Sequence, residues 1–365
     1  MTLTAMLLAI SVTAPAEEWR YQARFSAETE QLSVEVCPPP GARFELESLE
    51  PYARDYLIDL DPKVWSTDAG AERLRAIEPG CASYQVALGR VADRNRIDHG
   101  YRVGPDLLVW PTTWLWWPPS RRMQMRLSLE LPPGWYFSSP WPQSDPAKPI
   151  YTLGGWPRYW SALTAFTREP GVRLNSGKGR LELAILGKLA TDERARLRAW
   201  VEHLAGLLDH VVAGLPLPQV QVLVVPTARG SAPVPWGQVY RGGLGGVHFF
   251  VNPDAPQSAF LEDWTGAHEI SHLLHPYLGA RGSWMGEGLA SYLQNVLRAR
   301  DGRDSIGVKD GAVQLDGGPR LEAGSAADVR RGSAPPRRAS APARSRRGGA
   351  DPRRRRGDHP AARRH

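Results

Sequence analysis

His268-Glu269-Ile270-Ser271-His272 sets two imidazoles four positions apart with a carboxylate directly after the first. On a helix that spacing puts both rings on one face, so they can reach one ion while Glu269 stays beside it. Fourteen residues separate His272 from Glu287, which lies in Trp284-Met285-Gly286-Glu287-Gly288-Leu289-Ala290-Ser291-Tyr292 and offers a third ligand. Neutral imidazoles are borderline-soft donors suited to Zn²⁺, and a carboxylate as third ligand leaves the fourth tetrahedral position for water. A metal lowers the pKa of such a water toward about 7, and a carboxylate must then take the proton and hand it to a leaving amine. His268, His272 and Glu287 are therefore the expected zinc ligands, and Glu269 the expected general base. The competing reading is a pair of amphipathic helices whose histidines are satisfied by hydrogen bonds in a core.

Stepping outward from the motif, Ser283 is the expected N-cap of the helix that carries Glu287. Met285, Leu289, Tyr292, Leu293, Val296 and Leu297 form its apolar stripe, with Glu287, Ser291 and Gln294 on a polar strip turned to the metal. Upstream, Leu181, Leu183 and Ile185 mark a strand. Leu197, Trp200, Val201, Leu204, Leu208 and Val211 mark one face of a helix from about Thr191 to Val212, closed by Gly214 and Pro216, and Val220 to Val225 reads as a buried strand. Gly242-Gly243-Leu244-Gly245-Gly246-Val247-His248 follows. Its glycines suit an edge strand that a substrate backbone can approach, which makes Gly243, Gly245, Gly246 and Val247 candidate substrate contacts, or else a turn beside a hairpin. His275, close to the helix end before Pro276, is expected to cap or support the metal helix rather than to ligate.

Between Trp19 and about Glu169 the periodicity is two. Met125, Leu127, Leu129 and Leu131 alternate with polar residues, as do Leu32, Val34 and Val36, and Pro132-Pro133-Gly134 reads as a turn. A β-sandwich is the economical solution, and with the helices downstream the class is α+β. The expected division is a signal peptide over 1–17, a β-rich domain over 18–170, a catalytic domain over 171–302 and a low-complexity tail over 303–365. Fourteen Trp are present, with clusters at Trp110, Trp114, Trp116 and Trp117 and at Trp135, Trp141, Trp156 and Trp160. They are expected to fill the sandwich core rather than to form a stacking platform.

His-Glu-Ile-Ser-His together with Trp-x-x-Glu-Gly-x-Ala-x-Tyr resembles the gluzincin metallopeptidases, a group that holds the alanyl-type aminopeptidases and the glycyl aminopeptidases with a PDZ domain. The resemblance is closest over about 235–300. It implies a β-rich N-terminal domain followed by a thermolysin-like zinc peptidase domain, and it gives His268, Glu269, His272 and Glu287 the roles assigned above. It also implies an acidic residue on a strand before the metal helix to hold a substrate amine, and a Tyr beyond the third ligand. The stretch 242–248 has no acid, and no Tyr, Phe or Trp follows Tyr292. Peptide hydrolysis is thus implied more firmly than aminopeptidase action, and a catalytically inert peptide-binding or scaffold protein of the same fold is the alternative.

Charge divides the chain. From Arg320 to His365 there are fourteen Arg, no Lys and four acids, a surplus of ten positive charges, whereas the whole chain carries only +7. This Arg-rich tail fits a disordered extension, a nucleic-acid arm, or a GC-rich coding stretch read in a shifted frame. Under the last, a helical domain that should close the cleft is missing. A peptide or protein is the expected partner, with nucleic acid only if the tail is genuine. Leu3 to Val12 followed by Ala14-Pro15-Ala16 reads as an export signal, too short to span a bilayer. In a periplasmic or secreted protein Cys37 and Cys81 would pair; in a cytoplasmic one they would be buried thiols.

Overall fold

The computed structural model describes residues 18–302, apart from 68–72, 97–98, 120–123, 146–147, 155–161, 228–231 and 242–244, together with 306–309 and 312–315. The expected signal segment and the Arg-rich stretch lie outside the described residues.

The N-terminal half is built on alternation. Gln31–Cys37 and Gln124–Glu130 bury every second residue, and both pair with Glu18–Ser26, the first antiparallel and the second parallel. They belong to a seven-stranded sheet. Leu32, Val34, Val36, Met125, Leu127 and Leu129 turn inward from it, against Leu107, Val109 and Phe166 of a four-stranded sheet. Trp114, Trp116 and Trp141 are completely enclosed between the two, so these rings fill the core as their clustering suggests; Trp156 and Trp160 lie outside the described residues. The Pro132-Pro133-Gly134 turn is present, with Gly134 at φ 72°, a left-handed conformation that a side chain would strain. Cys37, at the end of its strand, forms a disulfide with Cys81, just ahead of Ala82–Ala87.

The four-stranded sheet is shared by two cores. Its other face, with Val103, Leu108, Leu163 and Ala165, packs on Ala184, Leu186, Leu223, Val225 and Phe250 of a five-stranded mixed sheet. That sheet runs, from one side to the other, Val172–Ser176, Gly179–Ile185, Gln219–Pro226, Gly245–Val251 and Trp236–Tyr240. Its far face carries Leu183, Val222, Val224, Val247 and Phe249 against the helix Thr191–Leu207 and the site helices. Gln219–Pro226 is buried on both faces, which explains why it is apolar on both from Val222 to Val225. The helix from Thr191 buries Leu197, Trp200, Val201 and Leu204 as their spacing requires and ends in a 3₁₀ turn, Leu208–His210, before Gly214. The arrangement is mixed α/β, with many sheets and few helices.

One expectation is corrected here. The Gly-rich strand is not at the sheet edge: Gly246 and Val247 are paired with Gln219–Pro226 on one side and with Trp236–Tyr240 on the other, and Gly245 with Gln219–Pro226. The backbone groups of Gly246 and Val247 are spent inside the sheet, Gly243 lies outside the described residues, and the edge among the described residues is Trp236–Tyr240. Within the stretch expected to be a low-complexity tail, Ile306–Lys309 and Ala312–Leu315 form an antiparallel pair. Among the described residues no helix is long and apolar enough to cross a membrane.

Candidate metal centre

Asp263 starts the first site helix, Trp264–Ser271, by accepting the backbone N–H of Thr265 at 2.8 Å. Ala267 and Ile270 are buried beneath it, which turns His268 and Glu269 away from the core. His272 opens the 3₁₀ turn His272–Leu274 that continues the helix. The second site helix is Ser283–Arg300. Ala290 is buried against the first helix, and its small size permits close approach; the Ser271 hydroxyl lies 2.6 Å from the His268 carbonyl and 2.9 Å from the Ala290 carbonyl, its proton shared between them. Arg298 donates to the Glu262 carbonyl at 2.9 Å and anchors the far end.

These contacts bring the three expected ligands together. His268 Nε2 is 3.2 Å from Glu287 Oε2, His272 Nε2 is 3.5 Å from the same oxygen, and one ligand atom from each of the three lies within 4.8 Å of the others. A tetrahedral zinc ion with ligands at about 2.0–2.1 Å separates them by about 3.3 Å, so the set fits that ion. Hydrogen bonding gives the same answer. His268 Nδ1 is 3.1 Å from Gln294 Oε1, and an amide oxygen only accepts, so the ring proton sits on Nδ1 and the Nε2 lone pair faces the carboxylate. Burial, then the charges of Arg241, His268 and His275, pull His272 down to about 3, which keeps it a neutral ligand. Lone pairs that converge in this way call for a cation among them.

Glu269 leans against the edge strand, where a Cβ on Gly237 would collide with its Cγ. Burial, reinforced by the Glu287 charge and opposed by Arg241, pushes its carboxyl up to about 7. His275 sits where a supporting residue was expected: its ring is 5.5 Å from that of His272 and touches Arg241.

Gly237 and Arg241 were not singled out in the sequence; a lone glycine within Trp236–Tyr240 was the available signal for a close approach. The apolar stripe of the second helix is a correction. Met285, Leu289 and Tyr292 are exposed, Tyr292 by 66%, while Gly286, Ala290 and Leu297 are buried, and no side chain of Ser283 caps the helix. Trp284, 73% exposed, and Trp264, edge-on to His268 at 5.6 Å, add aromatic surface around the site.

No family model matches the sequence, and no curated protein matches it. Solved structures do. The chain is similar in fold to an aminopeptidase N family protein from Idiomarina loihiensis, with a TM-score of 0.50 and 11% identity over 77% of this chain. It spans 55% of the length of that protein. An M1 zinc metallopeptidase from Deinococcus radiodurans also matches, in two structures, at 12% identity over 79% of this chain and 71% of that one, with TM-scores of 0.42 and 0.44. At these identities the likeness is one of fold.

Proposed function

We propose that this chain is a zinc-dependent peptidase with a thermolysin-like catalytic region, in which His268, His272 and Glu287 hold the ion and Glu269 moves the proton. The observation that carries this reading is the convergence of the two imidazoles and the Glu287 carboxylate, with Gln294 fixing the tautomer of His268. When bound, zinc supplies a Lewis-acid charge that acidifies water and polarises a carbonyl. Glu269 takes the proton of the attacking water as its oxygen bonds to the scissile carbon. It returns that proton to the amine nitrogen as the C–N bond breaks, leaving a carboxylic acid and an amine. Among the described residues the strand Trp236–Tyr240 has no neighbour on its outer side, and it supplies a backbone edge beside Glu269 against which an extended peptide can align. Aminopeptidase action, named for the Idiomarina protein, is the narrower form of the proposal. Export to a periplasmic or extracellular space is supported by the Cys37–Cys81 disulfide.

A second reading, peptide binding without turnover, is favoured by the exposed rings of Trp264, which packs on His268, and of Trp284, one helical turn before Glu287. Incubating the purified full chain with a mixture of short peptides separates the two. Cleavage that stops with a zinc chelator and returns with added Zn²⁺ supports the peptidase, whereas retention of intact peptides supports the binder.

A further inference from the structure

Arg241 directly follows the edge strand and carries its guanidinium to the end of the metal helix. Nη1 donates to the His272 carbonyl at 3.2 Å and lies 3.2 and 3.4 Å from the ring nitrogens of His275. The group also stands over the Tyr277 ring, with Cζ 5.6 Å from its centroid. Nη2 extends toward the second site helix, where a Cβ on Gly286 would lie 3.9 Å from it, one residue before Glu287.

The bonding capacity of this group is largely unspent. A guanidinium has five N–H donors; among the described residues Nη2 makes no hydrogen bond, and Nε is buried without a partner. Nor does Arg241 form an ion pair with Glu269 or Glu287, although both carboxylates act on its charge. A cap for the helix end explains Nη1 alone, since a single hydrogen bond to the terminal carbonyl needs neither a fork nor a half-buried charge. What remains is a cation with free donors beside the metal ligands, at the end of the strand along which a peptide would lie.

Building on the metallopeptidase reading, we infer that Arg241 recognises an anionic oxygen of the substrate. Two sources supply such an oxygen: the tetrahedral species formed when water adds to the scissile carbonyl, and a carboxylate carried by the peptide itself. Both suit a planar, permanently charged donor better than they suit an ammonium group.

The test compares the full-length parent with Arg241→Gln and Arg241→Lys, after zinc content has been measured in each. Calorimetric binding then uses three probes: an alanine phosphinic pseudodipeptide amide, whose only acid is tetrahedral; Ala-Asp amide, whose only carboxylate is in the side chain; and Ala-Asn amide as its uncharged counterpart. In Arg241→Gln, affinity for one anionic probe should fall by about ten- to a hundredfold, the worth of a hydrogen bond to a charged group, with Ala-Asn amide unaffected. The probe that weakens identifies the source of the oxygen. Arg241→Lys, which keeps the charge and loses the fork, should recover part of the loss. Equal weakening of all three probes, or no weakening of either anion, overturns the inference. If Arg241→Gln loses its zinc, the Lys variant against the parent decides by the same comparison. Absence of zinc from the parent would instead refute the metallopeptidase reading, and this inference with it.

Discussion

Glu269 and Gly237 are in direct apposition: the carboxylate side chain occupies the space that any Cβ at position 237 would fill. The expected base is thereby held against the backbone of the sheet edge, and residue 237 has to be glycine. Gly237→Ala should displace Glu269 while leaving the two histidines and Glu287 alone. Zinc content should stay at the parent level, and peptide hydrolysis should fall by about a hundredfold, the usual scale for a catalytic group misplaced by an ångström. Parent-like turnover in the alanine variant would remove Glu269 from the role of base.

Ligands and base can be separated from each other by substitution. The parent should bind about one zinc ion per chain. His272→Ala should release it, because that ring is almost wholly buried and no other histidine replaces its Nε2. Glu269→Gln should keep the metal and lose hydrolysis, since the amide cannot accept the water proton. Gln294→Leu should weaken zinc binding by about ten- to a hundredfold by freeing the His268 tautomer. Elemental analysis after dialysis against a competing chelator reads all three.

The placement of His268, His272 and Glu287 was legible because helical periodicity alone brings the first two to one face, and the third lies on the next helix. The strands around Leu32 and Leu127 were legible for the same kind of reason, as each buries alternate residues. What the sequence hid was decided by partners distant in the chain. Glycines at 242–246 read as an approachable edge, yet the strand Gly245–Val251 is flanked by Trp236–Tyr240, and which strand ends a sheet is not a local property. Met285, Leu289 and Tyr292 look like a core stripe, but the contact between the site helices falls at Ala290, a residue with little to bury. Arg241 carried no local signal at all; its meaning comes from the end of the metal helix, which the fold brings to it.

The disulfide closes a stretch of 44 residues that includes the three-stranded sheet of Glu45–Glu47, Arg73–Ala76 and Trp65–Thr67. In the chain-entropy description, closing a loop of that length restricts the unfolded state by about 4 kcal/mol, and removal of native disulfides commonly costs about 2–5 kcal/mol. The double variant Cys37→Ser/Cys81→Ser should therefore unfold at clearly lower denaturant than the parent. The metal site lies on separate helices, so zinc stoichiometry in the folded variant should not change. Intact-mass analysis without reduction should find the parent two hydrogens lighter than its reduced form, and two free thiols there would contradict the bond.

Acid should destabilise this protein through a histidine remote from the metal. His248 is fully buried on the strand Gly245–Val251, its ring 4.7 Å from that of Tyr240, and among the described residues neither ring nitrogen has a hydrogen-bond partner. The neighbouring Gln221 Oε1 and Tyr240 hydroxyl are also buried without partners. Burial lowers its pKa from 6.5 to about 3. A depressed folded-state pKa means that the unfolded chain binds the extra proton between those two values. The contribution is therefore complete above about pH 6.5 and is lost as pH falls toward 3, at up to about 1.4 kcal/mol per pH unit. His248→Leu removes the titrating group and relieves two unpaired nitrogens. Its unfolding free energy should fall less steeply than the parent's between pH 6.5 and pH 4, and its acid midpoint should be lower. Parallel stability curves over that range would show that His248 is not charged by unfolding and that its nitrogens are satisfied in the folded protein.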